Sequence, residues 1–516
     1  MQKKLSVGLA VMLALSLLIA LLGPVSASGA KAPSAQVATV QTFLNALNPL
    51  NINNAKATWV AGQQDMVATK LGQVLSGTTI TITKPGLSLK GNMVNATYGI
   101  KVTKGSFYRE NKKGTATFTV GSDNLISAST FDFDYLALGV KLGYVKPSGS
   151  AYATSNMLVS DVIAGLQQYL KTDAALSGIP VTFVPYDTVD ASTAKTDAAY
   201  MKAAADKCAG FFGGSSAQDM LELNLISGTG KTTLLYSGPQ GLPIKLGKYT
   251  VRGGYNPILL QTKQADFIAQ LNPKPAKIAI MAHDDPSVRA AMVSFKKILA
   301  KETGKLKPKP TIVYEKYVSL DTENSADGFK TYLNEVKASG ADVLCCEMVG
   351  TFTYKAIYKN IMDVGGLGNI RFLCIEGQAW FSAIDSKTGQ PMPGAVGTYS
   401  TTTFVMGSAP EIEACFNAAR DAKQLQLAMA PPYPATIAPY ISFWSGAMNI
   451  IKAVETAKTD DQVLVNTAAH SGNIQWPGPW DTLKVDKAGE SNFWGRIYQF
   501  ITPGPDHIPY KLIPVQ

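Results

Sequence analysis

Four short stretches of this sequence could do chemistry. The first is LISGTGKTTLLYS, residues 225–237, where glycines run into a Lys-Thr pair as they do in a phosphate-cradling loop. A P-loop needs G-x-x-x-x-G-K-[ST] directly after a strand and opening a helix. Gly230-Lys231-Thr232 supplies the second half, but the position of the first glycine is Leu225. The element order is also reversed, since QDMLELNLI has the spacing of a helix and TTLLYS that of a strand. Gly228 and Gly230 are then expected to be helix-terminating glycines with positive φ, and Lys231 a turn residue in solvent. The second stretch, FFGGSSAQ, is a strand–turn–helix in which Gly213 and Gly214 bring the backbone close and Ser215 and Ser216 offer hydroxyls. N–H groups at a helix start attract anions, so the turn suits a carboxylate; an ordinary serine N-cap has the same appearance.

The third stretch is FLCIEG, an apolar run ended by Glu376, where a charge is costly unless it is used. A loop glutamate exposed after a strand is the alternative. Trp380 follows, either as the wall of a side-chain pocket or as a cap on the surface. The fourth stretch, HDD at 283–285, is expected to be a solvated loop after a strand rather than a metal site. The three histidines, His283, His470 and His507, lie far apart, which weakens any zinc or histidine-base chemistry.

These stretches need elements to position them. From about residue 136 the chain alternates strand and helix: ALGVKLGYV, SNMLVSDVIAGLQQYL, PVTFVPYD, STAKTDAAYMKAAADK, AGFFGG, AQDMLELNLISG, TTLLYSG. After YTVRGGYNP the rhythm restarts with AKIAIMAHDD and continues through DVLCCEMVG and IRFLCIEG. Such repeats predict parallel sheets with helices on both faces, and two successive series predict two lobes. Ligands bind at the carboxyl ends of the strands in such sheets, where FFGGSSAQ, FLCIEG and HDD fall. Residues 29–134 differ in texture. Two helical segments precede TTITITK, MVNATYGIKVTK, GTATFTVG and LISASTFDFDYL, which alternate as half-buried strands. KPG, NKKG and GSDN supply the turns. This is a small α+β domain, weakly similar in element order to the cone-shaped domains related to nuclear transport factor 2.

The chain begins with Lys3 and Lys4, an uncharged apolar run from Leu5 to Leu22, and Val25-Ser26-Ala27, the pattern of a cleavable export signal over 1–28. An uncleaved N-terminal anchor is the alternative, and membrane contact is expected only there. Hydrophobic residues make up 46% and charged residues 16% of the chain, which suits well-buried globular domains. The net charge of +10 is scattered, with KLKPKP the one dense cluster, so nucleic acid is not an expected partner. The five cysteines show no metal spacing, and three of them sit in apolar strand-like runs, as core residues do. No cofactor is implied.

Over about three quarters of the chain the sequence resembles the type I periplasmic solute-binding proteins, in the leucine/isoleucine/valine-binding branch. LGYVKPSGSAYATSNMLVSDVIAGLQ, IPVTFVPYDTVDASTAKTDAAYM, FFGGSSAQ, AKIAIMAHDD, FLCIEG, APYISFWSGAMNIIKAVETA and GPWDTLKVDKAGESNF carry the resemblance, in the family's order. It implies a two-lobed α/β fold, with 135–256 and 397–472 as one lobe and 257–396 and 473–516 as the other. The lobes would be joined by crossings near 250–258, 395–402 and 470–478. It also implies a small-molecule ligand, an amino acid or amide, passed to the permease of an ABC importer by an exported protein without catalysis. In that family the Gly214-Ser215-Ser216 turn holds the ligand carboxylate, Glu376 pairs with its ammonium, and Tyr152 covers it. Pro239 and Gly241 fall where backbone groups meet the ligand. Gly241 replaces the family's usual threonine, and Ser287-Val288 stand where relatives carry an aromatic; both departures bear on specificity.

Two other function classes fit less of the sequence. An exported hydrolase lacks a G-x-S-x-G elbow and well-spaced histidines. A ligand-sensing receptor or scaffold would use the same cleft without a permease. Lys231→Ala is expected to leave ligand binding and stability unchanged. Specific Mg-ATP binding to the parent protein, abolished by this change, would restore the P-loop reading.

Overall fold

The computed structural model describes residues 34–149, 153–172, 176, 178–189, 193–214, 217–238, 243–348, 353–375, 383–384, 390–402, 408–425, 437–503 and 510–515. The chain divides into two compact units, residues up to 104 with 110–137, and 105–109 with 138–516.

The smaller unit opens with α1 (Ala35–Ala46), α2 (Ile52–Ala57) and α3 (Ala61–Gly72). Ser34 Oγ and Asn51 Oδ1 accept the Val37 and Asn54 amides at the starts of α1 and α2, satisfying donors that a helix start leaves open. A sheet in the order β1 (Thr79–Lys90), β2 (Met93–Lys104), β3 (Phe107–Val120), β4 (Ile126–Ser129) follows. Alternate residues of β2, from Val94 to Val102, are buried and the others face solvent, the period a half-buried sheet demands. Edge-to-face rings fill the core, with Phe43 against Trp59 at 5.7 Å and against Phe131 at 5.5 Å.

Two expected turns are not turns. KPG lies inside β1 as a bulge: the register with β2 shifts between Thr83 and Gly86, and Lys84 has φ 49°. β1 is an edge strand, where proline and a bulge are tolerated. NKKG lies inside β3, and Gly114 is glycine because a Cβ there would stand 2.7 Å from the Tyr98 ring. The chain reverses instead near Gly91 and Gly105, at φ 63° and 57°.

The larger unit contains two α/β sheets. The first has the order β6 (Val181–Tyr186), β5 (Val140–Val145), β7 (Gly210–Phe212), β8 (Leu235–Gly238), β9 (Thr250–Arg252), with all neighbouring strands parallel. The connecting helices are α4 (Ala153–Thr172), α5 (Thr193–Ala205) and α6 (Ala217–Gly228). After α7 (Pro257–Gln270), the second sheet has the order β11 (Thr311–Val318), β10 (Lys277–His283), β12 (Val343–Glu347), β13 (Arg371–Cys374), β14 (Tyr399–Thr402), β17 (Arg496–Phe500), β18 (Tyr510–Ile513). It is parallel as far as β14 and antiparallel beyond. α8 (Pro286–Glu302), α9 (Lys330–Ala338) and α10 (Thr353–Asp363) connect its parallel strands.

Both faces of the second sheet are covered: Ile278, Ile280, Val343 and Cys345 lie in one core, and Ala279, Met281, Leu344 and Cys346 in another. This is why these strands are continuous apolar runs. All five cysteines are buried thiols. Burial pushes the Cys345 thiol up to about 12 and Cys415 to about 11, so both are packing groups rather than nucleophiles.

α11 (Pro410–Asp421), α12 (Ile437–Ala457) and α13 (Gln462–Ala469) precede a hairpin of β15 (Ile474–Pro477) and β16 (Thr482–Val485). Trp476 Nε1 donates to Asn449 Oδ1 of α12 at 3.0 Å, which keeps this hairpin with the first sheet, since α12 packs on β7 and β8. The passage to the second sheet therefore runs through 486–495, later than the expected 470–478. Likewise β14 still belongs to the second sheet, beyond the expected boundary at 397. The first passage is short, from Arg252 to the Asn256 cap of α7.

The first and last passages are tied together. Arg252, 3% exposed, donates from Nε to Glu490 Oε2 at 2.6 Å and from Nη2 to Oε1 at 3.0 Å. The Asn256 amide donates to Phe493 O at 2.6 Å. Glu490→Gln is expected to lower unfolding stability by about 2 kcal/mol. That is less than the roughly 3–5 kcal/mol of a fully buried pair, because the Glu490 side chain is 30% exposed. Urea unfolding followed by tryptophan fluorescence reads this, and an unchanged midpoint contradicts it.

Candidate functional site

Each sheet has a point where successive connections leave in opposite directions. In the first it lies between β5 and β7, in the second between β10 and β12. Loops part at such a point and open a crevice at the carboxyl ends of the strands.

In the first sheet the turn after β7 begins at Gly213 and Gly214, with φ 97° and 144°. An L side chain rarely adopts either value, and a Cβ on Gly214 would stand 2.5 Å from Met220 Cγ. The expected glycine requirement is met, and α6 starts at Ala217, just beyond the turn. Tyr236 of β8, 1% exposed, donates its hydroxyl to the Gly213 carbonyl at 3.0 Å. Nothing in the sequence singled out Tyr236. A signal was there, a tyrosine in the apolar run LLYSG, since a buried hydroxyl needs a partner. Of the expected ligand residues, Tyr152, Ser215, Ser216, Pro239, Gly241, Glu376 and Trp380 lie outside the described residues; Gly214 alone lies within them.

In the second sheet the structure corrects the reading of HDD. His283 is the last residue of β10 and is 1% exposed, its ring tilted at 33° to that of Phe329 with centroids 6.5 Å apart. The aspartates do face outward. Asp284 accepts from Arg289 Nε at 2.6 Å, and this bond holds its carboxyl below the usual range. Asp285 Oδ1 accepts the Val288 amide at the start of α8. Next to His283, Glu347 ends β12 and is 8% exposed. Its signal was the one used for Glu376, a charge closing an apolar run, here DVLCCE. The pairing Ala282↔Glu347 sets Glu347 on the Ala282 face and His283 on the other. Among the described residues no group of three His, Cys, Asp or Glu could hold a metal ion.

The turn once compared with a P-loop is a helix end. α6 finishes at Gly228, Gly230 has φ 74°, and Lys231 is exposed before β8. Only Gly230 takes the positive φ expected of both glycines. It serves as a control for the β7 turn, since a Cβ on Gly230 would meet nothing within 4 Å. Gly230→Ala should cost about 1 kcal/mol. Gly214→Ala should cost more, roughly 1–3 kcal/mol, because strain and the Met220 clash add. Thermal unfolding ranks the two, and equal losses would mean that the β7 turn relaxes freely.

Residues 139–495 match the family model described as periplasmic binding protein. No curated protein sequence matches the chain. Among solved structures it is similar to a solute-binding protein of an ABC transporter from Rhodopseudomonas palustris HaA2, in complex with p-hydroxybenzoic acid. That match has 17% identity and a TM-score of 0.55, over 73% of this chain and 98% of that one. An ABC transporter substrate-binding protein from Sphaerobacter thermophilus is similar at 15% identity and a TM-score of 0.56, over 73% and 97% of the two chains. A leucine-binding protein from Thermotoga maritima is similar at 14% identity and a TM-score of 0.51, over 73% and 98%. With two α/β sheets and the family model spanning both, this chain belongs to the type I periplasmic binding proteins.

Proposed function

We propose that this protein works outside the cytoplasm, capturing an amino acid or related amide between its lobes and delivering it to the permease of an ABC importer. It does so by binding and release, without catalysis. The observation that carries this reading is the Gly213–Gly214 turn, which stands before α6 at the switch point of the first sheet. Backbone amides at a helix start are suited to a carboxylate, and the leucine bound by the T. maritima protein has one. Ser215 and Ser216 would add hydroxyls, Glu376 would pair with an ammonium, and Tyr152, Pro239, Gly241 and Trp380 would complete the pocket. Residues 29–134 are proposed as a module of their own.

A second reading is an aromatic carboxylic acid, favoured by the p-hydroxybenzoic acid in the R. palustris structure. It keeps the carboxylate and removes the ammonium. A thermal-shift screen over amino acids, amides and hydroxybenzoates finds the ligand, since a hundredfold excess over Kd stabilises by about 2.7 kcal/mol. Titration calorimetry with the best ligand then separates the readings. For a zwitterion, Glu376→Gln is expected to cost roughly 2–5 kcal/mol, and Ser215→Ala roughly 0.5–1.5 kcal/mol while backbone donors remain. Full affinity in Glu376→Gln would exclude the amino acid and leave the aromatic acid.

A further inference from the structure

Tyr236 sits where its packing alone does not explain it. Its ring leans along β8 over Gly238, where a Cβ would stand 3.0 Å from the hydroxyl oxygen and 3.1 Å from Cε1 and Cζ. The same hydroxyl lies 3.5 Å from where a Cβ of Gly214 would be. Two glycines thus leave a slot for one tyrosine, and the hydroxyl at its end donates to the Gly213 carbonyl at 3.0 Å. A peptide bond is planar and trans, so the carbonyl of Gly213 and the N–H of Gly214 point in opposite directions. Fixing the carbonyl toward Tyr236 fixes the Gly214 N–H away from it. Gly213 and Gly214 have the widest backbone freedom of any residue pair, and a turn made of them needs such an anchor to hold one orientation.

We propose that Tyr236 is a positioning residue for ligand binding, locking the Gly213–Gly214 peptide so that its amide is presented to the carboxylate of the solute. The role rests on the proposed function, in which that turn receives the carboxylate. Tyr236 touches the turn rather than the ligand, and it acts by removing orientations that would otherwise have to be given up on binding.

Tyr236→Phe removes the hydroxyl and keeps the ring. Tyr200→Phe is the control: Tyr200 is equally buried in the same core and donates its hydroxyl to the Leu234 carbonyl, away from the turn. Both variants should lose a comparable amount of thermal stability. Hydrogen–deuterium exchange over 211–220 should then speed up in Tyr236→Phe alone. The binding probes are L-leucine with L-leucinamide, and p-hydroxybenzoate with p-hydroxybenzamide. The acid that binds the parent protein should bind Tyr236→Phe about three- to tenfold more weakly. Its discrimination against the matching amide should shrink, whereas Tyr200→Phe should change neither. Unchanged exchange in Tyr236→Phe, or the same change in both variants, overturns the proposal, as does faster exchange with full acid affinity and selectivity. If neither acid binds the parent protein, the proposed function fails for these solutes, and exchange alone decides whether Tyr236 holds the turn.

Discussion

A guanidinium removed from water must be answered by charge and by hydrogen bonds, and Arg252 is such a group. It lies at the end of the last strand of the first sheet, and its partner, Glu490, is 238 residues further along the chain. A bidentate contact between planar groups fixes angle as well as distance. Residues 252–256 and 489–493 are thereby held side by side, and the Arg252 amide adds a bond to Gly489 O at 2.8 Å. Everything that follows in either direction starts from this fixed pair of segments. α7 begins at its Asn256 cap on one side, and β17 enters the second sheet on the other.

The alternation of strands and helices was legible because both sheets are covered on two faces and their strands are unbroken apolar runs. The passages between lobes were less legible, for a local reason. Trp476 and Asn449 bond across 27 positions, and that contact, together with the packing of β15 on α12, keeps the hairpin 474–485 with the first sheet. Periodicity cannot register a pairing of this kind. In the small domain, KPG and NKKG carry turn chemistry and yet lie within strands. Proline at an edge bulge and glycine beneath the Tyr98 ring satisfy the same residue preferences as a turn would.

At the candidate site, legibility followed backbone demand. Gly213 and Gly214 were readable because only glycine tolerates their φ values. His283 was misjudged because the two aspartates after it suggested solvent, whereas a parallel strand buries its last residue under the neighbouring connection; Phe329 lies over it. Glu347 went unnoticed although its pattern equals that of Glu376. The difference lay in the family comparison, which points to the strand after β12 and says nothing of β12 itself. Two buried polar residues at one switch point are a stronger physical signal than either is in the sequence alone.

Gly238 joins these parts. The amides of Gly253 and Gly254 donate to its carbonyl at 2.6 and 3.2 Å, so the passage leaving Arg252 is bonded to the end of β8. A Cβ on Gly253 would stand 2.7 Å from Gly446 Cα and 2.8 Å from Gly238 O, so the passage packs backbone against backbone between β8 and α12. The other side of Gly238 carries the Tyr236 ring, whose hydroxyl holds Gly213. An unbroken series of contacts therefore runs from Glu490 through Arg252, Gly253, Gly238 and Tyr236 to the turn after β7. Its glycine members carry no side chain that could be repacked, so a shift at one is passed to the next as displacement of backbone. The geometry of the lobe passage and that of the turn before α6 are set by the same few residues, and neither can be changed without strain on the other.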